Sequence, residues 1–206
     1  MKIPAKVVNR LTLYHFIIDS LSADETYVSS TKFAKLLGVD NSQVRKDFKY
    51  LGKTGKCRVG YPAKALKKSI EEKLGFRAAR NAFIIGAGNL GTALARYRTF
   101  DDYGLHISAL FDTDPQKIDR TIGGKNVFAL ERLEALVKKL HADVAILAVP
   151  PVAAPEMARY LAAAGIRYIW NFTPCVLDVP SKVKVWNENL IGSFLQFISQ
   201  EKMASK

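Results

Sequence analysis

Asn81-Ala82-Phe83-Ile84-Ile85-Gly86-Ala87-Gly88-Asn89-Leu90-Gly91-Thr92 decides how the larger part of this 206-residue chain is read. The run Ala82 to Ile85 is apolar and short enough for a buried strand. Gly86 to Gly91 fits G-x-G-x-x-G, and Thr92 to Arg98 suits a helix. A second apolar run, Ile107 to Phe111, ends at Asp112, 21 residues after Gly91. Each part has a job in holding a dinucleotide. Gly86 permits a tight turn, Gly88 lets the backbone approach a pyrophosphate, and Gly91 lets the helix pack on the strand. Ala87, Asn89 and Leu90 belong to the same cradle, where a helix N-terminus offers N–H groups and a positive dipole end to phosphate. Asp112 is placed to accept hydrogen bonds from the adenosine ribose and to repel a 2′-phosphate. A glycine-rich turn would satisfy the loop alone; strand, helix, second strand and spaced acid together make the fingerprint.

Working outward, the α/β alternation continues. Asp114-Pro115 and Gly123-Gly124 mark turns, and Asn126 to Phe128 is a short strand. Leu130 to Leu140 is helical, Val144 to Val149 is an apolar strand, and Pro155 to Ala164 is a helix. Arg167 to Trp170 and Val183 to Trp186 complete six strands. Strands without alternation, separated by helices, indicate a parallel sheet buried on both faces. Val149, Pro150, Asn171, Thr173 and Pro174 then stand at strand carboxyl ends, the rim where such sheets bind ligands. Asn171 and Thr173 suit a carboxamide or ribose there, and suit capping of the following turn equally well.

The N-terminal part has a different character. The net charge is +12, and residues 1–80 carry 17 Lys and Arg against 7 Asp and Glu, leaving 14 against 12 for the rest. A polyanion is the natural partner of the first part alone. Residues 4 to 21 form an amphipathic helix with Val7, Leu11, Tyr14, Ile18 and Leu21 on one face and Phe16 off it. Ser29, Ser30 and Thr31 offer N-cap hydroxyls for a helix to Leu37, and Asp40 or Asn41 caps a third helix to about Leu51. Ala34, Gly38 and Val44 satisfy the helix-turn-helix pattern. Ser42, Gln43 and Arg45 are the groups that reach base edges in a major groove, while Lys46 and Lys49 meet phosphate. Gly52 to Tyr61 interleaves glycines with bases, suiting a wing that lays Lys56 or Arg58 along the DNA. A solvated charged face is the alternative for any one of these charges.

Composition bounds the rest. At 49% hydrophobic and 24% charged the chain is an ordinary soluble globular protein. It has no apolar run near the roughly 18 residues of a membrane span and no signal peptide, so a cytoplasmic location is expected. Cys57 and Cys175 lie in no metal-like spacing, no metal is expected, and only Cys57 between Lys56 and Arg58 hints at redox sensitivity. After Phe76 to Arg80, a basic link, the domains divide as 1–79, 80–188 and a tail, 189–206. Leu190, Phe194, Phe197 and Ile198 make that tail an apolar helix that needs a covering surface.

The sequence resembles the Rex family of redox-sensing transcriptional repressors along nearly its whole length. The match is carried by Ile3-Pro4, Arg10-Leu11, Val28-Ser29-Ser30, Gln43 to Asp47, Gly55-Lys56, Gly60-Tyr61, Gly86 to Gly91, Phe111-Asp112, Val149-Pro150, Asn171 to Pro174 and Val179-Pro180. The resemblance implies a winged helix-turn-helix domain, with Ser29 and Ser30 among its DNA-facing residues. It implies also a Rossmann-type doubly wound parallel sheet binding NADH or NAD+, and a C-terminal helix swapped onto the partner of a homodimer. NADH would release DNA and NAD+ would oppose release, on a near-palindromic operator. Two departures from the family bear on the coupling between subunits. It usually has an arginine where Phe16 stands and an aspartate where Asn189 stands, and these pair between subunits. An apolar contact of Phe16 with Leu190 or Phe194 of the partner is the expected replacement. Arg58 is also displaced by one position from the family's wing arginine.

The competing reading is an NAD-dependent oxidoreductase with a basic N-terminal extension. It needs an acid–base group beside the hydride site. His15, His106 and His141 all fall away from the ligand rim, and no tyrosine has a lysine four residues on. No catalytic residue is therefore assigned. Another nucleotide, such as coenzyme A, would have to avoid Asp112 with its ribose phosphate.

Overall fold

The computed structural model describes residues 3–52, 55–56, 59–76 and 78–204. Lys53, Thr54, Cys57 and Arg58 of the expected wing lie outside the described residues. Two compact units divide the chain, Met1–Ala78 and Ala79–Lys206. No described helix is long and apolar enough to cross a membrane.

The first unit contains α1 (Ala5–Asp19), β1 (Tyr27–Val28), α2 (Ser30–Leu37), α3 (Asn41–Lys49), β2 (Tyr61–Pro62) and α4 (Ala63–Leu74). Local chemistry sets the ends. The Ser29 hydroxyl accepts from Lys32 N at 3.1 Å to cap α2, and Asp40 accepts from Ser42 N at 2.6 Å to cap α3. Gly38 closes α2 at φ +62°, a conformation that costs most side chains. Tyr14, Phe33, Phe48, Leu11, Leu66 and Ile70 are fully buried. Ring pairs Tyr14–Phe33, Tyr14–Phe48 and Phe48–Tyr61 meet edge-on at 5.1, 5.1 and 4.7 Å. β1 and β2 pair antiparallel, and an antiparallel bridge joins Lys56 to Gly60 just before β2. Gly60 is required there: at φ +102° its Cβ would stand 2.6 Å from the Val28 carbonyl oxygen.

The second unit runs β3 (Arg80–Ile85), α5 (Asn89–Arg96), α6 (Thr99–Asp102), β4 (Leu105–Asp112), β5 (Thr121–Ile122) and β6 (Lys125–Ala129). It continues with α7 (Leu133–Leu140), β7 (Ala142–Leu147), α8 (Ala154–Ala163), β8 (Tyr168–Asn171), β9 (Lys184–Asn187) and α9 (Leu190–Ala204). The sheet order is β5-β6-β4-β3-β7-β8-β9, parallel except for β5. It is a doubly wound sheet whose order reverses between β4 and β7 on either side of β3. Phe83 and Ile85 enter the core under α7 and α8, while Ala82 and Ile84 enter the core on the α5 side. Both faces of β3 are thus buried, which explains its unbroken apolar run.

Three expectations from sequence shift here. The Gly123-Gly124 turn joins an unforeseen antiparallel edge strand, β5, because a two-residue strand carries no readable period. Residues 130–132 form a single 3-10 turn before α7. The helix expected from Thr92 to Arg98 begins at Asn89 and ends at Arg96, so the last glycine of the loop lies inside its first turn.

Candidate functional site

The glycine loop sits at the crevice where the strand order reverses. Gly86, at φ +99°, lies against β7's exit: its Cβ would stand 2.5 Å from the Ala148 carbonyl oxygen. Gly91 is held tighter, since a Cβ there would stand 1.9 Å from the Gly86 oxygen. These two glycines close the turn and dock α5. Gly88 differs, because its Cβ would meet nothing within 4 Å. The N–H groups opening α5 have no earlier turn to bond, as at any helix start. Together they leave a cradle of open space at a positive dipole end, which fits a pyrophosphate.

A cleft of about 360 Å³ opens beside the loop, lined by Gly86, Gly88, Asp112, Lys117, Val149 and Pro150 among others. Asp112 is anchored rather than free. Its Oδ2 accepts from Ala87 N at 2.7 Å, and its Oδ1 accepts from Asp114 N at 2.9 Å. Lys117 Nζ lies 3.3 Å from Oδ2. Burial works to raise the Asp112 pKa; the two backbone N–H groups and Lys117 outweigh it and hold the carboxyl below its ordinary range. The acid therefore fastens the loop to the end of β4. Sequence reading placed Asp112 and missed Lys117, five residues on across a turn.

Asn171 and Thr173 need correction as ligand contacts. Asn171 has no exposed surface and Thr173 is 4% exposed. Asn171 Oδ1 accepts from Thr173 N and Oγ1 at 2.9 and 2.6 Å, while its Nδ2 donates to Cys175 O and Asn187 Oδ1 at 2.9 and 2.8 Å. All its polar capacity is spent shaping the turn after β8, the second role foreseen for it. Thr173 and Pro174 line a separate hollow of about 450 Å³ with Val176, Asn189 and Leu190.

The polar face of α3 exposes Ser42, Arg45, Lys46 and Lys49, and Lys56 is exposed beyond it. Ser29 is exposed with its hydroxyl engaged in capping, and Ser30 is half-buried. Gln43 does not hang free: its Nε2 donates to Asp47 Oδ1 at 2.9 Å. Asp47 is the residue whose structural role the sequence concealed. Although it sits on a polar helix it is fully buried. Arg10 Nε and Nη2 grip its two oxygens at 2.6 and 2.8 Å, and the Tyr14 hydroxyl donates at 2.9 Å. Burial opposes the charge, but Arg10, Gln43 and Tyr14 together hold the Asp47 pKa below its usual value. Burial, then Asp47 itself, raises the Tyr14 pKa. The network locks α3 to α1, so the exposed face is presented by a fixed helix.

Phe16 is 45% exposed on α1. On α9, Leu190, Ile191, Phe194, Leu195 and Phe197 are 59–67% exposed. Asn189 accepts from Gly192 N at 2.8 Å, so it serves as the N-cap of α9. His15 lies between Glu71 and Asp19, His106 pairs with Asp101 on the surface, and His141 ends α7. None lines the cleft. Among the described residues, no group of His, Cys, Asp and Glu is arranged to hold a metal.

Fold and site together define a class: a helix-turn-helix unit with a basic face, joined to a doubly wound sheet carrying a dinucleotide cradle. Residues 2–48 match a family model described as a putative DNA-binding protein N-terminus, and residues 78–175 match one described as a CoA binding domain. The redox-sensing transcriptional repressor Rex of Treponema denticola is 43% identical over 195 residues, covering 94% of this chain and 93% of the relative. That of Carboxydothermus hydrogenoformans is 39% identical, covering 92% and 91%. Among solved structures, RSP in complex with beta-NAD+ and operator DNA has a TM-score of 0.87 at 32% identity, covering 100% of this chain and 96% of that one. RSP in complex with beta-NADH has a TM-score of 0.86 at 31% identity, covering 100% and 98%. This chain belongs to the Rex family of redox-sensing transcriptional repressors.

Proposed function

We propose that the chain is a DNA-binding repressor that reads the NADH/NAD+ ratio, with NADH binding releasing DNA. The observation carrying this is the coexistence of an anchored glycine cradle and a rigid basic helix-turn-helix face, in a chain that aligns end to end with a Rex structure bound to operator DNA. Its relatives are named repressors rather than enzymes. The cleft beside Gly86, Gly88, Asp112, Val149 and Pro150 would hold the dinucleotide, with pyrophosphate over Ala87 to Leu90 and the adenosine ribose at Asp112. The nicotinamide supplies the redox difference that the protein senses; no residue has to transfer a hydride or a proton.

Arg45 and Ser42 would face bases, with Lys46, Lys49 and Lys56 on phosphate. A two-fold homodimer would place two α3 helices on a near-palindromic operator. The apolar side chains of α9 support a swap onto the partner, where Phe16 would meet Leu190 or Phe194. NADH can shift such a dimer only by binding its two forms unequally. Titrating a palindromic operator with the protein, adding NADH and NAD+ separately, tests the proposal. Release by NADH alone is expected, and equal DNA affinity under both nucleotides refutes redox sensing.

A further inference from the structure

Acting alone, Asp112 would refuse any adenosine ribose that carries a 2′-phosphate. The structure sets a cation against it. Lys117 Nζ lies 3.3 Å from Asp112 Oδ2 and 3.6 Å from Asp114 Oδ2, and Lys117 lines the same cleft. Asp112 therefore has three donors around it: Ala87 N, Asp114 N and Lys117 Nζ. A carboxylate has about four lone-pair sites, so roughly one stays open to a ribose hydroxyl. Two of the three donors are backbone and cannot withdraw. Lys117, with its side chain 37% exposed, is the donor able to yield to a hydroxyl or to follow a phosphate.

We infer that Lys117 is a specificity-determining residue of this site, its ammonium offsetting Asp112 and setting how strongly a 2′-phosphorylated dinucleotide is refused. This rests on the dinucleotide reading of the cleft. If Lys117 had a purely positioning role, its removal would lower the NADPH/NADH Kd ratio or leave it unchanged, because a mis-set Asp112 holds a ribose hydroxyl less well and refuses a phosphate less. A charge role raises the ratio when the ammonium is removed. Asp112 supplies the refusal and Lys117 moderates it.

The test is the Kd of NADH and of NADPH for the full chain, measured by nicotinamide fluorescence for wild type, Lys117→Met, Lys117→Arg and Asp112→Asn. Lys117→Met is expected to raise the NADPH/NADH Kd ratio about tenfold, the effect of one charge lost about 6 Å from a phosphate dianion at an effective dielectric near about 80. Lys117→Arg keeps the charge and is expected to hold the ratio within about twofold. Asp112→Asn should lower it. Because the ratio is taken within each variant, a partly unfolded preparation does not alter it. An unchanged or lowered ratio in Lys117→Met overturns the inference and leaves Lys117 a positioning residue. Failure of wild type to bind either nucleotide refutes instead the dinucleotide reading itself.

Discussion

Replacing Asp47 with Asn keeps the volume of a fully buried side chain and removes its charge. In the native unit one oxygen faces Arg10 Nε and the Tyr14 hydroxyl, and the other faces Arg10 Nη2 and Gln43 Nε2. Whichever way an asparagine amide is turned, its NH2 confronts two donors. Breaking a buried pair by altering one partner costs about 3–5 kcal/mol. A unit of this size holds about 4–12 kcal/mol in total, so the first unit should lose much of its stability. At about 4–8 °C per kcal/mol the transition should fall by at least about 12 °C. Both tryptophans, Trp170 and Trp186, lie in the second unit. Indole fluorescence will therefore report the sheet unit, while circular dichroism reports both. The variant should show an early dichroic transition with the tryptophan transition little changed, and DNA binding should be lost at temperatures where NADH binding persists. The acid limb should change as well. The native Asp47 pKa is lowered, so its contribution is complete above the unfolded value near 3.9 and is lost as pH falls through the folded value. Asp47→Asn should flatten that loss below about pH 4. Wild-type melting and undiminished operator binding in the variant would refute the reasoning.

Four further outcomes follow from the two units. Gly91→Ala should destabilise the second unit by about 1–3 kcal/mol, because its Cβ cannot occupy a position 1.9 Å from the Gly86 oxygen. Gly88→Ala should melt like wild type yet bind NADH more weakly, and calorimetric titration beside thermal melts separates the two glycines. Operator affinity should fall by about 10³–10⁵ between 50 and 200 mM salt if the dimer meets roughly 6–10 phosphates, as read by fluorescence anisotropy. Phe16→Arg should blunt NADH-induced release of DNA; unchanged NADH sensitivity would count against an apolar contact between Phe16 and α9 of the partner.

What could be read from sequence was whatever depends on neighbours along the chain. The three glycines, the apolar runs either side of them and Asp112 lie within 32 residues, and their spacing follows from strand, turn and helix geometry. The Ser29 and Asp40 caps and the Gly38 turn were legible for the same reason. Packing decided the remainder. Asp47 reads as one more charge on a polar helix, and only Arg10 and Tyr14, more than 30 residues earlier, show that it is interior. Asn171 and Thr173 stand on the rim where expected, yet Cys175 and Asn187 consume their hydrogen-bonding capacity. Lys117 is remote from the glycine loop in sequence, and it reaches the site because the turn after β4 folds it back onto Asp112. Period and spacing record which groups face inward; which partner satisfies a buried polar atom depends on what the fold brings beside it.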